Sequence, residues 1–251
     1  MNYKIFSKNE LESKILDKFK DLNVSDNPDY IFTFGGDGTF LKAARLNMDK
    51  ANIKYVPFNL GHVGYYTEFE LDELGSVIDQ IKNGDYKVKS YSKLDIEVNS
   101  CSFNGKTEAL NEIAITNPIR TAVIDIYIND ELFEHYRGTG LLVSTPSGST
   151  AYNKSLGGSV IDQNLDAIQI TEIAPINNRL YKSLNTSLVL SSSSKIKLVI
   201  HNEEKTFICV DGKSFCEDSV LEVEIKYSQN KVNVISKGKS QFLNIKNTFL
   251  K

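Results

Sequence analysis

Cysteine and histidine are scarce in this chain, with three of each among 251 residues. Cys101, Cys209 and Cys216 are an odd set without metal-like spacing. They fit reduced, structural thiols in a cytoplasmic protein and argue against a zinc site. His62, His135 and His201 are scattered, so none is assigned to catalysis or to a metal. An excess of one charge is missing too: the formal net charge is −3 and the sequence pI about 5.7. A broad nucleic-acid footprint needs clustered Lys and Arg, so no nucleic-acid partner is expected. No apolar run approaches the ~20 residues that span a bilayer. The opening Met1-Asn2-Tyr3-Lys4-Ile5-Phe6 lacks the basic and apolar blocks of a signal peptide, and no membrane partner is expected.

The most informative stretch is Tyr30-Ile31-Phe32-Thr33-Phe34-Gly35-Gly36-Asp37-Gly38-Thr39-Phe40-Leu41. An apolar, β-type run stops at two glycines, and a helical pattern starts near Thr39. Glycine lets backbone approach a ligand closely, and a helix N-terminus suits phosphate. A carboxylate in such a loop repels phosphate. Asp37 therefore takes a proton from an attacking hydroxyl, holds a metal, or merely caps the helix.

Tyr3 to Phe6 reads as a strand. Ser7 and Glu10 have capping-box spacing ahead of a helix with Leu11, Ile15, Leu16 and Phe19 on one face. Asn27-Pro28 breaks the chain before the glycine-loop strand. A helix follows to about Asn47, then a strand over Lys54 to Phe58. This β-α-β-α-β order predicts a parallel sheet with helices packed on it. Asn59-Leu60-Gly61-His62-Val63-Gly64-Tyr65 places two more glycines at a strand end, where open α/β sheets bind ligands. Leu71 to Ile81 reads as a helix stopped by Asn83-Gly84.

Near Tyr86 the texture changes to β. Strands are expected in Val88–Val98, Ala109–Ile115, Ala122–Ile128, Leu141–Ser144, Ala167–Ile173, Ser187–Leu190, Lys195–His201, Thr206–Val210 and Val220–Tyr227. Asn129-Asp130, Asn202-Glu203-Glu204 and Asp211-Gly212 are turn signals. Lys231–Ile235 and Phe242–Ile245 read as two last strands. The domain boundary is expected near residue 95.

Two stretches in this half carry chemistry. Asn111 and Glu112 precede an apolar run and could read a ribose or an adenine edge; equally they are exposed residues at a strand end. Residues 137–158 set Arg137-Gly138-Thr139-Gly140 before a strand, then Ser144-Thr145-Pro146-Ser147-Gly148-Ser149-Thr150-Ala151-Tyr152-Asn153-Lys154-Ser155-Leu156-Gly157-Gly158. A helix is expected to start at Ser149 or Thr150. The hydroxyls and amides suit the polar parts of a nucleotide, and Tyr152 could stack on a ring.

Together these motifs resemble the bacterial NAD kinase family. The resemblance rests on Gly35-Gly36-Asp37-Gly38-Thr39, Asn59-Leu60-Gly61-x-x-Gly64, Asn111-Glu112, the 144–152 block and Asp211-Gly212, in the family's order and spacing over most of the chain. It implies phosphoryl transfer from ATP to the 2′-hydroxyl of the adenosine ribose of NAD, giving NADP. The implied fold is a Rossmann-like α/β N-terminal domain (residues 1–95), joined by a C-terminal segment (residues 232–251), plus a β-rich NAD-binding domain (residues 96–231). It further implies Mg²⁺ or another divalent cation with ATP, and a homo-oligomer, a dimer or a tetramer.

Residue by residue, the resemblance makes Asp37 the general base. It sets Gly35, Gly36 and Gly38 against phosphate. Lys42, one helical turn past Thr39, could reach a phosphate; equally it is a solvated helix residue. Asn111, Glu112, Thr150, Ala151, Tyr152, Asn153, Lys154 and Ser155 are implied to hold NAD, with Arg137, Thr139, Ala174 and Gly212 at the periphery. Thr139 departs from the pattern, because many members carry Asp there. Thr keeps the hydrogen-bonding capacity and removes one negative charge. Two alternatives accompany this assignment: a non-catalytic dinucleotide sensor, and a lipid kinase of the diacylglycerol or sphingosine type. The latter is disfavoured because Phe40-Leu41-Lys42, not Asn-Glu, follows the glycine loop.

Overall fold

The computed structural model describes residues 1–47, 50, 52–61, 64–100, 104–201 and 205–250, with the side chains of 215–218 and 248 outside that description. Cys101, His62 and the turn at 202–204 lie outside the described residues, as does the side chain of Cys216. The chain forms two compact units, Met1–Tyr91 with Lys231–Lys251, and Ser92–Asn230.

The first unit is built on a sheet ordered Asn23–Val24, Asn2–Ser7, Tyr30–Phe34, Lys54–Asn59, Val232–Ser236, Lys87–Tyr91, with Phe69–Glu70 added to Lys54–Asn59. All its pairings are parallel except that of Lys87–Tyr91 with Val232–Ser236. The strand Tyr30–Phe34 is buried at four of five positions, as a strand covered on both faces must be. Helix Asp37–Arg45 packs Phe40, Ala43 and Ala44 inward, and Leu74–Asn83 packs Leu74, Val77, Ile78 and Ile81. Gly84 ends the second helix in the left-handed region at φ 73°, as the Asn83-Gly84 stop predicts. Phenylalanines fill the core: Phe34 stacks on Phe58 at 5.3 Å between centroids, and Phe19 meets Phe32 edge-on at 4.9 Å. Each such pair adds about 0.5–1.5 kcal/mol beyond burial.

Two local expectations fail here. The Ser7–Glu10 box does not start a helix. Ser7 is the last residue of the strand Asn2–Ser7, and its hydroxyl donates to the Phe34 carbonyl at 3.4 Å. The helix begins only at Ser13 and tightens into a 3₁₀ turn over Asp17–Phe19. Phe242–Ile245 is not a strand but part of helix Gln241–Phe249. Ser240 caps it, its hydroxyl accepting the Leu243 amide at 3.2 Å. A short apolar run cannot be told from a helix by periodicity alone, and the Ser240 cap decides it.

The second unit is all antiparallel. One sheet runs Glu131–Gly138, Ala122–Ile128, Lys195–Ile200, Val220–Tyr227, Leu94–Ser100, Asn104–Ala109. The other runs Leu188–Ser191, Ala167–Ile173, Gly140–Ser144, Glu112–Thr116, Thr206–Val210, Lys213–Asp218. The sheets pack face to face over one core, with Ile96, Ile124 and Leu198 from one against Ile113, Leu141 and Ile168 from the other. Asn129-Asp130 (φ 53° and 66°) and Asp211-Gly212 (φ 48° and 73°) are two-residue hairpin loops of the I′ kind, as their sequences predict.

Candidate active site

In the first unit the sequence places Gly35, Gly36, Asp37 and Gly38 beyond the carboxyl end of Tyr30–Phe34, and the structure shows why glycines stand there. Gly35 has φ 154°, and a Cβ on it would lie 2.3 Å from the Thr39 hydroxyl. Gly36, Gly38 and Gly61 border open space instead, so the loop shows bare backbone. The helix starts at Asp37 with Gly36 as N-cap and no side-chain cap. The first-turn amides of a helix have no partners within it and carry the positive end of its dipole.

Asp37 does not cap its own helix. Its carboxylate accepts the amides of Tyr65 at 2.7 Å and Tyr66 at 2.9 Å. Those amides come from the second glycine loop, so the two loops meet. Asn59 shapes that loop: its amide group accepts from Gly61 N at 3.0 Å and donates to Gly61 O at 3.0 Å. Gly64 is needed for contact, since a Cβ there would sit 2.4 Å from Asp37 Oδ1 and 2.3 Å from Thr67 Oγ1. An aromatic cluster backs this turn, with Tyr66 5.1 Å from Tyr65, 4.9 Å from Phe40 and 5.0 Å from Tyr91. Burial, then the charges of Tyr65, Glu68 and Asp37, raise the Tyr91 phenol well above its usual pKa and keep it neutral. Lys42 is exposed on the helix, with its ammonium 5.7 Å from the Phe6 ring centre.

In the second unit Asn111 and Glu112 are not exposed strand-end residues; both are 7% exposed. The Asp211 carboxylate accepts the amides of Leu110 (2.9 Å), Asn111 (2.7 Å) and Glu112 (3.2 Å). The Tyr152 amide donates to the Glu112 carboxyl. Glu112 Oε2 nonetheless stays buried without a partner, as does Oγ of Ser144, its cross-strand partner. Burial, then the negative charge of Asp211, pushes the Glu112 carboxyl up to about 8, against a smaller lowering by the Tyr152 amide. It is mostly neutral at pH 7 and can donate a hydrogen bond.

The hydroxyl-rich block is packed inward. Ser144 to Thr150 are all buried. Thr145 Oγ1 donates to Leu110 O at 2.7 Å, and Ser149 and Thr150 donate to Pro146 O and Ser147 O. Gly148 lies against the Asn111 backbone, leaving no room for a Cβ, which would be 2.0 Å from Asn111 O. These hydroxyls build the scaffold under Asn111 instead of facing solvent. Asn153 is fully buried as well: its amide donates to Ser149 O at 3.1 Å and accepts from Thr171 Oγ1 at 2.6 Å. Tyr152, Lys154 and Ser155 are exposed and Ala151 is half-buried, on the turn and helix that follow.

Arg137, Thr139 and Ala174 form a separate group. Arg137 stacks on Tyr181 at 4.5 Å. Thr139 is pinned by its amide to Ile173 O, and Ala174 adopts φ 48° beside Gly138. They sit at the start of strand Gly140–Ser144, whereas Glu112 pairs with Ser144 at its end. Five steps of strand separate the groups by about 17 Å. Gly212, by contrast, neighbours Asp211 and belongs with Asn111 and Glu112. The sequence reading missed Tyr65, Tyr66, Thr67 and the Asp211 side chain. The spacing Gly64-Tyr65-Tyr66-Thr67 carried a signal only for the glycine.

A carboxylate fixed between two glycine loops beyond parallel strand ends suits an enzyme that transfers a phosphoryl group to a hydroxyl. Comparisons make the class specific. The model of the ATP-NAD kinase N-terminal domain matches residues 5–86, and that of the ATP-NAD kinase C-terminal domain matches residues 110–237. The NAD kinase of Streptococcus thermophilus (strain CNRZ 1066) is 35% identical over 230 residues, covering 89% of this chain and 82% of that protein. The chain belongs to the ATP-NAD kinase family. Two solved structures share its fold. Yeast NADH kinase complexed with NADH has a TM-score of 0.87 and 21% identity, covering 100% of this chain and 87% of that one. An NAD kinase from Archaeoglobus fulgidus in complex with ATP has a TM-score of 0.78 and 24% identity, covering 98% and 97%. Nothing in these comparisons favours a lipid kinase or a non-catalytic sensor.

Proposed function

We propose that this chain transfers the terminal phosphoryl group of ATP to the 2′-hydroxyl of the adenosine ribose of NAD, with Asp37 as the general base. The observation that carries this reading is Asp37 itself. Two backbone amides hold its carboxylate, one on each oxygen, and each oxygen keeps a lone pair for the ribose hydroxyl. Phosphoryl transfer asks the protein chiefly for positioning and charge stabilisation. The open backbone at Gly36 and Gly38 and the helix start behind it suit the donor phosphates, with Lys42 at the periphery. A positioned base contributes roughly 10²–10⁴ in rate.

Asn111, the neutral Glu112 carboxyl and the exposed face of Tyr152 are assigned to the acceptor dinucleotide, with Thr150, Ala151, Lys154 and Ser155 around them. Asn153 supports this group from beneath. Among the described residues no cluster of three His, Cys, Asp or Glu is set to hold a metal. A divalent cation such as Mg²⁺ would be carried by the ATP phosphates. That cation would neutralise phosphate charge. Arg137, Thr139 and Ala174, about 17 Å along the strand from Glu112, are assigned to the acceptor site of a neighbouring copy in a homodimer or homotetramer. No helix among the described residues is long and apolar enough to cross a membrane; a cytoplasmic location is part of this proposal.

The test is direct: incubate the protein with NAD and Mg²⁺, and with either ATP or polyphosphate, and measure NADP with an NADP-specific enzyme. NADP formation supports the reading. No NADP with any donor, alongside measurable NAD binding, would leave a dinucleotide sensor.

A further inference from the structure

We propose that Asp211 is a positioning residue of the acceptor site, its carboxylate fixing the backbone from which Asn111 and Glu112 project toward the dinucleotide. This rests on the assignment of Asn111 and Glu112 to NAD. Asp211-Gly212 is a hairpin loop, and the loop alone explains the left-handed backbone of both residues. It does not explain where the side chain goes. The carboxylate reaches a segment about a hundred residues earlier and gathers three consecutive amides, Leu110 on Oδ2 and Asn111 and Glu112 on Oδ1. Successive amides turned onto one anion form a nest. The contact is reciprocal, since the Asp211 amide donates to the Glu112 carbonyl at 3.1 Å.

The segment so held has no slack. Thr145 binds both the Leu110 carbonyl, through its hydroxyl, and the Asn111 carbonyl, through its amide at 2.9 Å. The backbone of 110–112 is thus clamped from two sides, by Asp211 on its amides and by Thr145 on its carbonyls. What remains open is the side chain of Glu112, whose Oε2 is buried and unpartnered. A rigid backbone carrying an unsatisfied polar atom is a preorganised contact. The charge of Asp211 also raises the Glu112 carboxyl, so the same residue helps to set its protonation.

Asp211→Asn and Asp211→Gly separate this role from the turn, because Asn-Gly and Gly-Gly both suit the I′ loop. Asn loses one acceptor oxygen and the charge; Gly loses the side chain. Folding is checked by thermal melting, and kinetics are read against pH from 6 to 9. Both variants should raise KM for NAD at least fivefold, change kcat less than threefold and leave KM for ATP unchanged. The pH midpoint of the NAD KM should move to lower pH, a change that a purely structural role would not produce. Glu112→Ala, which removes the carboxyl altogether, is run in parallel. If it leaves KM for NAD unchanged, the assignment of Glu112 fails. If Glu112→Ala raises that KM while either folded Asp211 variant keeps the wild-type KM and midpoint, Asp211 positions nothing.

Discussion

The Asp37 carboxylate accepts the Tyr65 amide at 2.7 Å, so the acid at the head of one helix is oriented by a loop 28 residues further on. A side chain held in this way does not cap its own helix. Asp37→Asn replaces one acceptor oxygen by an NH₂ group facing a backbone N–H, which costs about 1–3 kcal/mol locally. The variant should fold and bind NAD but lose at least about a hundredfold in kcat. Turnover near that of the wild type would remove Asp37 from the base role.

Gly64→Ala tests the same geometry without touching the carboxylate. The added methyl would lie 2.4 Å from Asp37 Oδ1 and 2.3 Å from Thr67 Oγ1, and one of them must move. Overpacking of this kind costs about 1–3 kcal/mol. The variant should melt lower than the wild type and lose roughly tenfold or more in kcat, since a small misplacement of a catalytic group is expensive. KM for NAD should change little. An undiminished kcat would mean that the Asp37–loop contact is not needed for turnover.

How far the sequence reveals this molecule depends on whether the signal is local. Gly35 to Gly38, Asn83-Gly84 and the two hairpin loops follow from short-range stereochemistry and stand where expected. The Ser7–Glu10 spacing predicts a cap, but the partner of the Ser7 hydroxyl, the Phe34 carbonyl, comes from another strand. The burial of the 144–150 block is not written in its own residues. Only the fold shows that Thr145 and Ser149 serve the backbone around Leu110 and Pro146. Asp211 was legible as a turn but not as a nest, since its donors are a hundred residues away.

Tyr152 joins two functions that a substitution separates. Its amide serves Glu112 and survives any side-chain change, whereas the residue is 45% exposed, which leaves its ring able to cover a bound base. Tyr152→Ala should therefore leave the Glu112 environment intact and lose only the ring contact, worth about 0.5–1.5 kcal/mol or roughly two- to tenfold in KM for NAD. The effect on kcat should be smaller. Steady-state kinetics at saturating ATP give both numbers, and an unchanged KM would make Tyr152 a bystander.

Glu112 should also be visible in the pH dependence of stability. Its folded-state pKa of about 8 lies above the ordinary 4.5, so the folded chain binds a proton that the unfolded chain has already released. The stabilisation is fully present below about pH 4.5 and is lost as pH rises through about 8. Glu172 has the same sign: burial, then hydrogen bonding and repulsion from Glu134, pushes it up to about 7. Glu112→Gln keeps the shape and removes the titration. Its melting temperature should match that of the wild type near pH 5 and exceed it at pH 8.5, with the residual slope left to Glu172. Thermal melts of both proteins from pH 5 to 9, without ligand, make the comparison. A constant difference across that range would show that Glu112 is not held neutral by its surroundings.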